Sequence, residues 1–345
     1  MAGSSGAPIC GGGRPLLDRR AKTRDASKMP GPVPLVTPVQ RLFESNGTAV
    51  WVKRDDQTHA LYGGNKVRKL SRILQTLPQG APITTLGAAG SHHALATTLF
   101  GRAAGHEVEA ILVPQLRTAH VVENLRADLA AGCTILASSS YPSAGLQLLL
   151  AKLRGRVIIP VGGSSVTGAL GYVDAMDELA MQVARGECPR PDAIVVPLGS
   201  GGTLAGILAG VAKHDWPSQV IGTLVTSPVW AARLQVSSLL KRVAKRVGIP
   251  SQKMFERFQF CAEYLGQGYG VPTQEGEEAK AIAAPHGITL DPTYTAKAFA
   301  NVLAIAKSGT FRHVLYWHTL SSAPMAPLLE GAPSEIPSSL RKLLK

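Results

Sequence analysis

Apolar positions along the chain fall into two alternating spacings. The first short apolar block, Ala49-Val50-Trp51-Val52-Lys53, is β-branched and reads as a strand that Asp55-Asp56 end. The spacing then changes: Val67, Leu70, Ile73, Leu74 and Leu77 share one helical face, and Pro78 and Pro82 close the helix expected over 67–77. Further strands are expected at 83–86, 108–113, 134–136, 157–160, 193–197 and 220–225. Helices are expected between them at 92–104, 121–131, 144–153, 168–185 and 203–213. Short apolar strands alternating with amphipathic helices imply parallel sheets covered on both faces, since each parallel connection needs a crossover. The chain is therefore read as α/β, with doubly wound sheets.

Composition changes this picture little. The 345 residues are 45% hydrophobic and 17% charged, enough for a sizeable core and incompatible with disorder of the whole chain. No run approaches the roughly 18 apolar residues of a membrane span, so no membrane association is expected. The formal charge of +13 is spread over a basic head (Arg14, Arg19, Arg20, Lys22, Arg24, Lys28), the segment 241–257 and the tail. Without zinc-finger spacing, a basic zipper or aromatic-interleaved basic strands, this reads as a solvated surface with no specific nucleic-acid partner. Such a surface can still draw in an anionic cofactor or an amino-acid carboxylate. Cys10, Cys133, Cys188 and Cys261 are scattered, which disfavours a disulfide framework or a zinc site and fits the reducing cytoplasm. The first thirty residues lack the apolar stretch of a secretory signal. Asp18 and Asp25 weigh against a transit peptide, and residues 1–32 are read as a disordered extension closed by Pro30-Gly31-Pro32.

Ligands of open α/β sheets bind beyond the carboxyl ends of strands, where three glycine-rich loops lie: 87–91, 162–165 and 199–203. In Gly199-Ser200-Gly201-Gly202-Thr203 the glycines let the backbone approach an anion, and Ser200 and Thr203 add hydroxyl donors. The loop lacks the Lys-Ser/Thr ending of a nucleotide P-loop and the dinucleotide fingerprint, which favours a phosphate monoester. Tight helix–sheet packing would use the same glycines. Gly63-Gly64-Asn65-Lys66 stands at a helix start with Arg68 and Lys69 behind it. Two glycines make room for a flat ligand, and neighbouring cations with a helix N-terminus depress a lysine's proton affinity, as carbonyl chemistry requires.

Gly63-Gly64-Asn65-Lys66-Val67-Arg68-Lys69-Leu70 resembles the cofactor-lysine motif of the D-cysteine desulfhydrase and aminocyclopropane-carboxylate deaminase family. That family has the tryptophan-synthase-β-like fold, fold type II, of pyridoxal-phosphate enzymes. Further matches follow in order: Val161-Gly162-Gly163-Ser164-Ser165, Gly168 to Val173, Gly199 to Thr203, Gly268-Tyr269-Gly270-Val271-Pro272, Leu290 to Lys297 and His318-Thr319. They span roughly residues 33 to 322. The resemblance implies that Lys66 holds pyridoxal 5'-phosphate as a Schiff base and that Lys69 and the loop Gly199, Ser200, Gly201, Gly202, Thr203 hold its phosphate. It places Ser91 beside the reacting substrate, Tyr294 against the pyridine ring and Tyr269 as a second active-site tyrosine. Ordinary packing with a bonded hydroxyl is the plain alternative for both tyrosines. Two doubly wound domains are implied. The smaller (70–175) would be inserted into a larger cofactor-binding one (33–69 plus 176–345), in a homodimer.

Two positions bear on substrate. The deaminases tend to carry glutamate after the tyrosine matched by Tyr294 and leucine after the late histidine, where this chain has Thr295 and Thr319, as the desulfhydrases do. A hydroxyl near the pyridine nitrogen protonates it weakly, which favours α,β-elimination from a small amino acid, with pyruvate, ammonia and hydrogen sulfide as products. Aminocyclopropane-carboxylate deamination, another dehydratase, racemase or β-replacement activity, and a cofactor-binding protein without turnover are the alternatives. The chain departs from the family at Ser91-His92-His93, where asparagine usually bonds the ring hydroxyl, and at Leu320-Ser321-Ser322, where glycines are usual. His92 is the candidate replacement for that asparagine. No metal site is expected there, since adjacent helical residues do not face each other.

Overall fold

The computed structural model describes Met1 and residues 31–345. The disordered extension expected over 1–32 therefore lies, through residue 30, outside the described residues. The first element is a hairpin where one strand was expected: β1 (Val39–Ser45) and β2 (Thr48–Lys53) are antiparallel. Asn46 and Gly47 turn the chain with φ of 47° and 75°. An Asn-Gly pair is favoured there because both central positions need positive φ.

The smaller sheet comprises β3 (Ile83–Ala88), β4 (Val108–Val113), β5 (Thr134–Ala137) and β6 (Val157–Ile159), all parallel in the order β5-β4-β3-β6. The larger sheet adds β7 (Ala193–Leu198), β8 (Gln219–Leu224), β9 (Phe258–Cys261) and β10 (His313–Trp317) to the hairpin, in the order β1-β2-β10-β7-β8-β9. Every pairing in it except β1–β2 is parallel. The central strands β3, β4 and β7 are buried along their whole length, as strands of doubly covered sheets should be, with Thr84, Thr85 and Glu109 among the buried side chains.

The crossovers are α1 (Asn65–Leu74), α2 (His92–Ala103), α3 (Ala119–Ala130), α4 (Tyr141–Leu153), α5 (Val166–Ala184), α6 (Gly202–Lys213), α7 (Val229–Val247), α8 (Ser251–Glu256), α9 (Gln274–Ala283) and α10 (Thr295–Ser308). Helix α1 starts two residues before its expected position, so Lys66 lies inside its first turn. Helix α5 runs unbroken through the domain boundary expected at 175/176. Its Ala169, Tyr172, Ala175 and Met176 join the core between α6, α7 and the larger sheet, so a cut there would split one apolar face. The C-terminal segment behaves in the opposite way. Ile336, Leu340 and Leu343 pack with Val108, Ala110 and Leu112 of the smaller sheet, although 176–345 was expected to belong to the larger domain. Leu344 pairs with Gln115 beyond β4. The basic residues Lys241, Arg242, Lys245 and Arg246 lie exposed on α7, opposite buried Val243 and Ala244. No helix of the described residues is long and apolar enough to cross a membrane.

Helices α1, α5 and α6 meet almost backbone to backbone. A Cβ on Gly171 would lie 1.9 Å from the Arg68 carbonyl oxygen, and one on Gly206 would lie 2.2 Å from that of Ala169. Neither oxygen can swing aside as a side chain would. Gly171→Ala is expected to destabilise the protein by about 1–3 kcal/mol or more, read from urea unfolding, because α1 and α5 must separate. An unchanged midpoint would contradict this close contact.

Candidate active site

A cavity of about 500 Å³ opens beyond the carboxyl ends of strands from both sheets. Among its lining residues are Lys66, Lys69, Ser91, His92, Gly199 to Thr203, Tyr269, Tyr294 and Thr319, so most of the residues singled out in the sequence meet in one place. Thr295 does not line it. That side chain is buried and turned back to Asp291, donating from Oγ1 to Oδ2 at 2.6 Å and accepting from the Asp291 N–H at 2.6 Å. The expectation of a Thr295 hydroxyl at the cofactor ring is corrected accordingly: its hydrogen bonds are spent on the start of α10.

Lys66 is carried by the first turn of α1, directly after Gly64, whose φ is 89°. The glycine pair serves a different purpose from the one expected. A Cβ on Gly63 would meet the Asp56 carbonyl oxygen at 1.9 Å, and one on Gly64 that of Thr319 at 2.6 Å, so backbone must pass against backbone. The Asn65 N–H donates to the Thr319 oxygen at 3.1 Å, tying α1 to the end of β10. Lys66 Nζ donates to Asn65 Oδ1 at 2.6 Å. Burial lowers the amine to about 8, against a smaller upward pull from Asp291. Neighbouring cations are not the cause. Arg68 turns away from the cavity into a buried pair with Asp55 at 2.8 Å and Glu178 at 2.9 Å. Lys69 does face the cavity, and burial with repulsion from Lys66 lowers its amine well below the ordinary value.

The loop 199–203 bends at Gly201, with φ of 89°, and opens α6 without a side-chain cap. Ser164 Oγ accepts from the Gly202 N–H at 3.0 Å and lies 2.7 Å from Ser200 Oγ. Asn65 Nδ2 donates to Thr203 Oγ1 at 3.0 Å, joining this loop to the lysine helix. Across the cavity Tyr294 Oη donates to Tyr269 Oη at 3.0 Å, with the rings edge to face and centroids 5.6 Å apart. A Cβ on Gly199 would lie 3.2 Å from Tyr294 Cε1. Asp291 caps α10 through the N–H groups of Thr293, Tyr294 and Thr295, at 2.9, 2.7 and 3.1 Å.

Ser91 caps α2, its Oγ accepting from the Ala94 N–H at 3.2 Å. The histidines behind it have separate roles. His93 is buried, with Nε2 2.9 Å from Thr85 Oγ1. Burial holds the Tyr62 phenol protonated, so it donates to His92 Nδ1 at 2.5 Å. Burial, then His120, lowers the His92 ring to about 3, which leaves a neutral imidazole with its proton on Nε2. That Nε2 is buried and has no partner. No three His, Cys, Asp or Glu side chains gather as a metal site among the described residues.

Tyr62, Ser164, Asn65 and His120 gained no role from the sequence reading. Only tertiary packing brings them to the site. Asp291 did carry a local signal, since an aspartate before proline favours a turn in which its carboxylate accepts from the N–H two residues on, as it does from Thr293.

The family model for pyridoxal-phosphate-dependent enzymes matches residues 26–316. The chain belongs to this family. It is 33% identical over 298 residues to the D-cysteine desulfhydrase of Salmonella paratyphi C, covering 81% of this chain and 88% of that one. A Thermotoga maritima protein that carries a provisional 1-aminocyclopropane-1-carboxylate deaminase name is 34% identical over 301 residues, 82% of this chain and 93% of the relative. Among solved structures, an ACC deaminase homologue superposes with a TM-score of 0.74 at 29% identity, over 88% of this chain and 97% of that one. Threonine deaminase isoform 2 of Solanum lycopersicum gives 0.62 at 16% identity, over 88% and 85%, which speaks for the shared fold type II.

The site of this pyridoxal-phosphate-dependent enzyme fits the cofactor on its own observations. Two amines, the half-buried Lys66 and the buried Lys69, face one cavity, which suits an aldehyde and an anion. The N-terminus of α6, where Gly201 supplies no cap and Ser164 Oγ takes the Gly202 N–H, and the glycine bend at 201 suit a phosphate. His92, whose buried Nε2–H has no partner, lines the same cavity.

Proposed function

We propose that the protein is a pyridoxal-phosphate-dependent lyase that removes the β substituent of a small amino acid, in the manner of a D-cysteine desulfhydrase, releasing pyruvate, ammonia and hydrogen sulfide. The observation that carries this reading is the Lys66 amine, lowered to about 8 and facing the same cavity as Ser91, Tyr269 and Tyr294. Lys66, Lys69, His92, Thr319 and the loop 199–203 would hold the cofactor. Bound pyridoxal phosphate supplies a carbonyl for the amino group and a ring that accepts electron density from Cα. Lys66 takes the Cα proton, a task suited to an amine that is half free at about pH 8. Ser91 and the start of α2 orient the substrate carboxylate. The Tyr294–Tyr269 pair holds a protonated hydroxyl near the departing group, since burial raises both phenols, Tyr269 to about 12.

Elimination is preferred to ring opening because Thr319 offers only a hydroxyl, while Asp291 spends its oxygens on α10. The name of the Thermotoga relative supports aminocyclopropane-carboxylate deamination as the second reading. Sulfide release from D- and L-cysteine, measured beside keto-acid release from aminocyclopropane-carboxylate, serine and chloroalanine, separates the two. Cofactor uptake without product from any of them would leave a binding protein. The rate of cofactor uptake by the cofactor-free protein is expected to rise with pH and to level off above about 8, because the lowered amine is free there. A rise continuing toward the ordinary lysine value of about 10.4 would contradict the burial of Lys66.

A homodimer in the cytoplasm is part of the proposal, supported by the resemblance and by the free thiols Cys133, Cys188 and Cys261. So is a two-domain division, one domain around each sheet with the cavity in the cleft. The uncut α5 supports placing its second boundary before Val166.

A further inference from the structure

Helix α4 is apolar on two opposite faces, with only Ser143, Gln147 and Lys152 as polar side chains between its Pro142 and its end. Ala144, Leu148 and Ala151 face the smaller sheet, with Leu86, Ile111 and Val113. On the opposite side Leu146, Leu149, Leu150 and Leu153 are 60%, 54%, 50% and 75% exposed, one turn apart, and Lys152 is the only charge on the helix. No other described helix exposes more than two large apolar side chains. A helix without a polar face belongs in an interior or an interface, and a contiguous apolar patch of this kind marks a binding surface.

We propose that the outer face of α4 is the surface on which two copies of this chain associate. This rests on the homodimer reading above and gives it a location. A groove of about 580 Å³ runs along the leucine ridge, with walls from Ile135 and Leu136 of β5, Leu150 and Leu153 of α4, and Leu340 of the C-terminal turn. One face thus carries both a ridge and an apolar groove beside it, as a two-fold interface requires, since each copy must offer what the other receives. The leucines present a few hundred Å², and the groove walls and the C-terminal turn extend this toward the roughly 800 Å² per partner that a stable interface buries. The chain's own residues 2–30 are a poorer occupant. Ile9, Leu16, Leu17 and Met29 are their only large apolar side chains, too few to cover the ridge and the groove together. A second copy brings a matching set of leucines.

The test measures the mass of the full cofactor-loaded protein in solution by light scattering and sedimentation. The unaltered protein is expected at twice 36.2 kDa, and Leu149→Glu combined with Leu153→Glu at 36.2 kDa, with cofactor absorbance and melting temperature retained. If both have the double mass, the α4 surface is wrong and the homodimer reading stands. If the unaltered protein has the single mass at all concentrations, both are wrong. Should the variant fail to fold, dilution of the unaltered protein decides. Amides of α4 and the C-terminal turn should exchange at least tenfold faster below the dissociation concentration, and an unchanged rate overturns the proposal. Cosedimentation of the single-mass protein with phosphatidylserine vesicles, abolished by the leucine substitutions, would overturn it in favour of a lipid surface.

Discussion

Lys66→Ala is expected to lower kcat for sulfide release from D-cysteine by at least about 10³-fold and to remove the visible absorbance of lysine-bound cofactor. In the proposed reaction one amine carries two tasks, attachment and proton transfer. Lys69 and the loop 199–203 face the same cavity and, as the proposed phosphate holders, should still retain the cofactor in a form that dialysis removes. Lys66→Arg should not rescue either property, since a guanidinium keeps its proton and cannot serve as the amine. The absorbance does not depend on the substrate chosen, so its survival in Lys66→Ala would refute the assignment of Lys66. Loss of absorbance together with undiminished sulfide release would refute the mechanism.

Asp55→Ala is expected to cost about 3–5 kcal/mol in urea unfolding of the cofactor-free protein, the penalty of stranding buried charge. Asp55 is fully buried and accepts from Arg68 Nη2 and Nε at 2.8 and 2.9 Å, from Trp317 Nε1 at 2.7 Å and from Tyr172 Oη at 2.8 Å. Burial alone would raise its carboxyl, but Arg68, Lys53 and Trp317 outweigh that and hold it below the usual carboxylate value. The folded value is the lower one, so this stabilisation is present above the unfolded value of 3.8 and is lost as pH falls through the folded one. Arg68 follows Lys66 by two residues, and the pair anchors α1 against α5 and β10. Cofactor affinity should therefore fall with stability. Arg68→Met made in the Asp55→Ala background should recover part of the loss, because it removes a buried guanidinium left with Glu178 as its one charged partner. A cost below about 1 kcal/mol would show that the network adds little.

Parts of the site were legible because backbone chemistry leaves local marks. A glycine loop between a strand and a helix suits either an anion or close packing, and Gly199 to Thr203 forms one wall of the cavity. Tyr269 and Tyr294 were reachable only through motif order, since a tyrosine in a loop has no local property that aims it. The errors are equally particular. Arg68 was read as a cation acting on Lys66, yet helical geometry sends a side chain two positions away to another face, where Asp55 and Glu178 receive it. Thr295 was read as a cofactor contact, yet it is one residue past the cavity wall and bonds its own helix cap.

The alternation of strands and helices from β2 to β8, the parallel sheets and the places of the glycine-rich loops were legible in the sequence alone, because hydrophobic period and glycine placement act over a few residues. The tertiary structure decided which of those loops share a cavity and why Gly63 and Gly64 are required. It also assigned α5 to the core of the larger sheet and set the Lys66 amine near 8. Those properties depend on what surrounds a group from distant parts of the chain. Burial of a charge and contact between two backbones have no counterpart in local sequence.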